Sequence, residues 1–210
     1  MSKQVRINLS RIAFFGLFVL LMVKGKPMVW LGIFGVSLLA AFLFGRFYCG
    51  WICPMNSAMV VTETAAKKMK LKQRNSPKWL ESGWLSWVLL VVMGLSMAML
   101  RKLLGVQIPV LFYFLILSVL VTIFYKPEVF HNKICPFGGL LSLTGRFARF
   151  SRKVNTEQCI GCKRCETTCP STAVKVSRED RKARIDSKLC HQCFNCEIIC
   201  PEDAIAYQKK

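Results

Sequence analysis

Residues 1–151 carry only three acidic side chains, Glu63, Glu81 and Glu128, against 18 Lys and Arg. Few charges of either sign fall within the long apolar stretches, which argues against an ion pathway through a membrane. The glycine fingerprint of nicotinamide-binding folds is missing as well. Gly32-Ile-Phe-Gly35 lies inside an apolar run, away from any βαβ context, so electrons are expected from quinol or another protein and not directly from nicotinamide. Small residues for a cleavage site are absent after the first apolar stretch, where Lys24-Gly-Lys-Pro27 follows. That stretch is expected to remain an uncleaved span rather than a signal peptide.

Cysteine, in contrast, is abundant. One run reads Cys159-Ile-Gly-Cys162-Lys-Arg-Cys165-Glu-Thr-Thr-Cys169-Pro170, the other Cys190-His-Gln-Cys193-Phe-Asn-Cys196-Glu-Ile-Ile-Cys200-Pro201. Both are C-x2-C-x2-C-x3-C-P, 31 residues apart. Three thiolates of such a run reach one cuboidal cluster, and the fourth turns to the other. Cys159, Cys162, Cys165 and Cys200 are therefore expected to hold one [4Fe–4S] cluster. Cys190, Cys193, Cys196 and Cys169 are expected to hold the second. Zinc would want two separated ligand pairs instead. The proline after each fourth cysteine ends the local helix. His191 lies inside the second run and is expected only to border its cluster.

Hydrophobic residues make up 53% of the 210 residues, too apolar for an ordinary soluble domain of this size. A bilayer crossing needs roughly 20 apolar residues. Four stretches approach that, at about 7–23, 28–47, 84–100 and 108–125. A mostly α fold is predicted: a four-helix transmembrane bundle over 1–151 and an α+β ferredoxin domain over 152–210. Arg11 interrupts the start of the first span, and Lys24 and Lys26 can snorkel at its far end. Lys3, Arg6, Arg11 and the basic loop from Arg46 to Lys78 outweigh Lys24, Lys26, Arg101 and Lys102 on the other side. The positive-inside rule places both termini and the cysteine runs on the cytoplasmic side of the cell (inner) membrane, where thiols stay reduced. Trp30, Trp79, Trp84, Trp87 and Tyr125 fall at span ends and read as an aromatic belt, with quinone stacking as the alternative.

Residues 152–210 hold 12 Lys and Arg against 8 acidic residues. Two oxidised clusters, each about −2, cancel that excess. The remaining positive charge faces anionic lipid headgroups. Basic residues flank spans rather than forming one face, so no nucleic-acid partner is expected.

A second repeat lies in the membrane half. Cys49-Gly-Trp-Ile-Cys53-Pro54 follows the second span, and His131-Asn-Lys-Ile-Cys135-Pro136 follows the fourth. Each motif follows a two-span hairpin, so two parallel repeats related by an axis along the membrane normal are expected. Each proline should open a new helix. Basic interfacial helices are expected over 55–72 and 137–152. Cys49, Cys53, His131 and Cys135 could converge near the axis as an additional metal or redox centre. A redox-active thiol pair and a purely structural role are the alternatives. An imidazole in place of a thiolate would raise the potential of such a centre and make it pH-sensitive near neutrality.

With these motifs the chain resembles the membrane ferredoxins grouped with the NapH and NosR proteins of nitrate and nitrous-oxide respiration. Arg46-Phe-Tyr-Cys49-Gly-Trp51-Ile-Cys53-Pro54 is the most specific piece in the membrane half. The resemblance implies a membrane-bound polyferredoxin of the shorter, NapH-like architecture, without the extracytoplasmic flavin domain. It implies electron transfer connected with the quinone pool. His131 stands where that family usually has a cysteine.

The expected function is an electron-transfer subunit of an oxidoreductase. It would pass electrons between the membrane, through quinol or a membrane partner, and a redox partner protein. A regulatory or maturation protein that supplies electrons or metal to another enzyme is the alternative, and a transporter with a redox sensor a third.

Overall fold

The computed structural model describes residues 3–104 and 110–209. Helix α1 (Lys3–Val23) is closed by Gly25 in the left-handed region, φ 64°. Pro27 then opens α2 (Pro27–Phe44) at its first position, where a missing N–H costs nothing. These two helices are long and apolar enough to cross a membrane. Later in the chain come α5 (Trp84–Leu104) and α6 (Val110–Phe124). Their apolar parts, Trp84–Met99 and Val110–Phe124, are shorter over the described residues. Two of the four expected spans therefore meet the length criterion. Ile108 and Pro109, the expected start of the fourth, lie outside the described residues. Leu9, Ile12, Val36, Leu39, Val91 and Leu95 point outward on these helices, each more than half exposed.

The two motifs share one backbone geometry. In α3 (Phe47–Trp51) the chain ends on a widened turn, with Cys53 N–H donating to Tyr48 O at 2.9 Å. After α7 (Pro127–Val129) comes a π-helical turn over Phe130–Ile134, and Cys135 N–H donates to Phe130 O at 2.8 Å. Each cysteine is extended, and the following proline opens α4 (Pro54–Lys68) or α8 (Pro136–Gly145) as expected. Helix α4 packs on α6, and α8 packs on α2 and α5. The helix leaving each motif thus packs on the span that enters the other. That reciprocal exchange draws both motifs together.

Neither α4 nor α8 merely lies beside the membrane, as expected for 55–72 and 137–152. Met55, Met59, Phe137 and Leu141 give them apolar faces that join the core. That core also holds Trp30, Phe34, Tyr48 and Phe114, with Phe34 and Phe137 edge to face at 4.9 Å. Trp30 is a core residue rather than part of a belt, since its indole N–H donates to the Tyr48 hydroxyl at 3.0 Å. Trp79, Trp84 and Trp87 are exposed.

The ferredoxin part begins with β1 (Phe150–Val154), whose first three residues fall in the stretch expected to be helical. It pairs antiparallel with β4 (Ile205–Lys209), Arg152 opposite Tyr207. Between them lie α9 (Arg164–Thr167), β2 (Val174–Val176), β3 (Ala183–Ile185) and α10 (Asn195–Ile198). Strands β2 and β3 pair antiparallel, Val174 opposite Ile185. By its charge segment 177–186 reads as a surface turn, but it supplies β3. Its single alternation, Ala183 inward and Arg184 outward, is too short to stand out among charges.

Candidate functional site

The two cysteine runs repeat in backbone detail as well as in sequence. Gly161 and Gln192, Lys163 and Phe194, and Thr172 and Asp203 are pairs 31 residues apart, and all six are left-handed. Non-glycine residues rarely adopt that conformation, and its recurrence at matching positions marks a wrapped loop that aims several side chains inward. At Gly161 an added Cβ would lie 2.2 Å from Arg181 O, so only glycine fits. Cys159, Cys162, Cys165 and Cys200 line one small cavity with Val154, Val176 and Ile205. Cys169 sits close enough to Cys190, Cys193 and Cys196 for its charge to be felt at all three. The structure therefore brings together each expected set of four, fourth cysteines exchanged. All eleven cysteines are free thiols. This donor chemistry, with a cradle closed by Gly161, fits iron–sulfur clusters.

At the two C/H-x3-C-P motifs, Cys49, Cys53 and Cys135 are buried in one apolar core of the described helical part. The Gly138 N–H donates to Cys135 Sγ at 3.4 Å. The ring of His131 is buried, and its Nε2–H donates to Asn56 Oδ1 at 3.1 Å. That leaves Nδ1 as the bare nitrogen, the arrangement in which a ligating histidine is oriented by a second residue. Asn56 was not singled out from sequence; its place three residues after Cys53, just inside a helix, carries no ligand signal. Arg46 is fully buried and links the parts. Its guanidinium reaches Cys49 Sγ at 3.9 Å, His131 O at 3.5 Å, Asn132 Oδ1 at 3.4 Å and Lys188 O at 3.3 Å. Gly138 and Gly145 leave room for it: a Cβ there would come within 3.2 Å and 3.0 Å of its side chain.

Burial pushes the Cys135 thiol up to about 12 and raises Cys53 strongly as well. Cys49 is also raised by burial, with the Arg46 guanidinium opposing. Reactive thiol pairs need lowered pKa values and exposure, so these groups are poor redox thiols without a metal. Burial first, then the Arg46 and Arg11 guanidiniums, push His131 down to about 3. It is therefore neutral across the physiological range, contrary to the titration near neutrality expected from an ordinary imidazole. A neutral imidazole is the ligating form. Among the described residues no three His, Cys, Asp or Glu side chains converge on one ion, the ferredoxin cysteines included. Donors to a cuboidal cluster surround a body rather than a point.

The ferredoxin loop and the first motif touch directly. Trp51 Nε1–H donates to Gln192 O at 3.1 Å, and the Trp51 and Phe194 rings meet edge to face at 5.4 Å. A Cβ on Gly50 would lie 2.2 Å from His191 O. Asn132 Nδ2–H donates to Ser171 O at 2.8 Å, tying the second motif to the same domain.

The family described as a 4Fe-4S dicluster domain matches residues 152–201. The family described as a 4Fe-4S binding domain matches twice, at residues 26–74 and 107–155, one match over each membrane-edge motif. The Regulatory protein NosR of Stutzerimonas stutzeri is 30% identical over 151 residues, which is 63% of this chain and 21% of that protein. The Methylamine utilization ferredoxin-type protein MauN of Paracoccus denitrificans is 28% identical over 173 residues, 72% and 59% of the two chains. These matched families and the similarity to NosR and MauN support a NapH/NosR-like polyferredoxin. An uncharacterized protein of Methanocaldococcus jannaschii is 36% identical to this polyferredoxin over 138 residues, and the chain spans 55% of its length. No solved structure matches the polyferredoxin. Two [4Fe–4S] clusters are its cofactors.

Proposed function

We propose that this polyferredoxin is a membrane-anchored electron-transfer protein, with four spans and with the termini and ferredoxin domain in the cytoplasm. Cys159, Cys162, Cys165 and Cys200 hold one cluster, and Cys190, Cys193, Cys196 and Cys169 the other. When bound, these clusters supply one-electron carriers. Cys49, Cys53, His131 and Cys135 hold a third iron–sulfur centre at the membrane edge. Support for the third centre comes from one observation above all: the two motifs are buried together beneath the bundle and pack against the second cysteine run through Gly50 and Trp51. The outward apolar side chains of α1, α2 and α5 support membrane anchoring.

Quinol or a membrane partner is the proposed donor. A cavity of about 470 Å³, lined by Phe14, Phe44, Trp51, Phe194 and Tyr207, supports it. Its walls are aromatic and apolar, and Phe194 belongs to the second cysteine run, so a flat ring there would adjoin that run. The similarity to NosR, a regulatory protein, supports a second reading, in which the chain serves the assembly or control of another redox enzyme.

Anaerobic purification with iron quantification, and EPR during a redox titration with and without a quinol analogue, tests the proposal. About eight iron in ferredoxin-type signals, a further signal from the membrane edge, and reduction by the quinol analogue are expected. Zinc in place of iron overturns it, and reduction only by a soluble protein donor favours the second reading.

A further inference from the structure

His191 is buried, and neither of its ring nitrogens has a hydrogen-bond partner. An imidazole carries one donor and one acceptor, and leaving such a group buried and unsatisfied is unfavourable. The geometry of the cysteine run does not require it. The matching position in the first run, 31 residues earlier, is Ile160, which is 61% exposed. An imidazole has therefore been placed in the second run alone, and turned inward.

Its surroundings show what it is turned toward. The His191 ring lies edge to face with the His131 ring, centroids 4.5 Å apart. Its carbonyl is pressed so closely on Gly50 that any side chain there would collide with it. His131 and Gly50 flank the three buried thiols of the membrane edge. His131 already gives its Nε2–H to Asn56, whereas His191 is unspent.

We propose that His191 is a positioning residue for the membrane-edge centre: its ring N–H is the hydrogen-bond donor to a sulfur of that centre. The inference rests on the third centre held by Cys49, Cys53, His131 and Cys135. Its consequence is that neighbouring residues serve two sites, Cys190 holding a ferredoxin cluster and His191 touching the centre across the domain junction. The ferredoxin domain then contributes to the membrane-edge site and is fixed in register with it by one peptide unit. Hydrogen bonds to sulfur favour the reduced, more negative form and raise the potential.

The test uses the anaerobically purified full-length protein, with His191→Phe to remove the N–H and His191→Gln to keep a donor. His191→Phe is expected to shift the membrane-edge signal to a more negative potential while iron per chain stays constant. His191→Gln should keep most of the original potential. Proton ENDOR in light and heavy water should find an exchangeable proton coupled to that signal in the unsubstituted protein, and His191→Phe should lose it. Absence of that coupling in the unsubstituted protein overturns the inference without any variant having to fold. An unchanged potential in His191→Phe overturns it too. About eight iron with no third signal overturns the third centre itself, and this inference with it.

Discussion

The indole N–H of Trp51 donates to the backbone carbonyl of Gln192, at 3.1 Å, across the junction between the helical part and the second cysteine run. Trp51 lies between Cys49 and Cys53, and Gln192 between Cys190 and Cys193. One hydrogen bond therefore ties two cysteine motifs that are 141 residues apart in sequence.

Trp51→Ala removes this bond and the edge-to-face contact with Phe194. The first contributes about 1 kcal/mol and the second about 0.5–1.5 kcal/mol beyond burial. Hydrogen exchange of residues 190–194 should quicken while cluster content stays intact. Unchanged exchange would show that the junction is held elsewhere.

Gly50→Ala should be worse than its size suggests. The new Cβ would meet the His191 carbonyl oxygen at 2.2 Å, and a backbone atom cannot swing aside as a side chain can, so the loop must withdraw. A loss of about 1–3 kcal/mol follows from forced overpacking. A thermal melt of the purified protein should fall by several degrees, whereas Gly32→Ala, with open space around it, should not move it.

Cys196→Ser should cost the second cluster, about four iron of the ferredoxin complement. Cys169 of the first run lies beside Cys190, Cys193 and Cys196, so both halves should loosen together. Iron analysis and limited proteolysis of residues 152–210 check this. Retention of all iron would displace Cys196 from the ligand set.

The iron-free protein should lose stability in acid through its two buried histidines. His131 is pushed down to about 3, and His191 is also lowered, burial being the largest cause for each. Protons therefore bind the unfolded chain more readily than the folded one. The stabilising difference is complete above the ordinary imidazole value, about 6.5, and shrinks as the pH falls toward 3. Melting temperature should drop below about pH 6.5 and be flat from 7 to 8 where these two groups are concerned. His131→Gln should flatten the acid limb.

Topology can be read with reporters. A reporter fused after Lys210 should be active only in its cytoplasmic form, and one near Gly25 only in its outside form. A C-terminus found outside would reverse the proposed orientation and put the clusters in an oxidising compartment.

The cysteine spacing by itself pointed to two sets of four donors, because a cuboidal cluster demands compact runs, and the fold gathers Cys159, Cys162, Cys165 and Cys200 around one cavity. Proline after Cys53 and Cys135 likewise determined where α4 and α8 begin, since its fixed φ and missing N–H suit a first helical turn. Hydropathy located α1 and α2, whose interiors have no competing pattern. Other features depended on the tertiary structure. Strands β1 and β3 are short, basic and only partly alternating, and their identity comes from their partners, the distant Tyr207 for Arg152 and the nearby Val174 for Ile185. Trp30 reads as an interfacial aromatic until Tyr48 is placed beside it. Asn56, Arg46 and His191 carry no ligand spacing. Their roles come from the packing of α4 on α6, of α8 on α2 and of the second cysteine run on Gly50, which buries polar groups that sequence patterns would leave in water. Burial is a property of the assembled neighbours, so the sequence names the donors and only the fold decides which of them must find a partner.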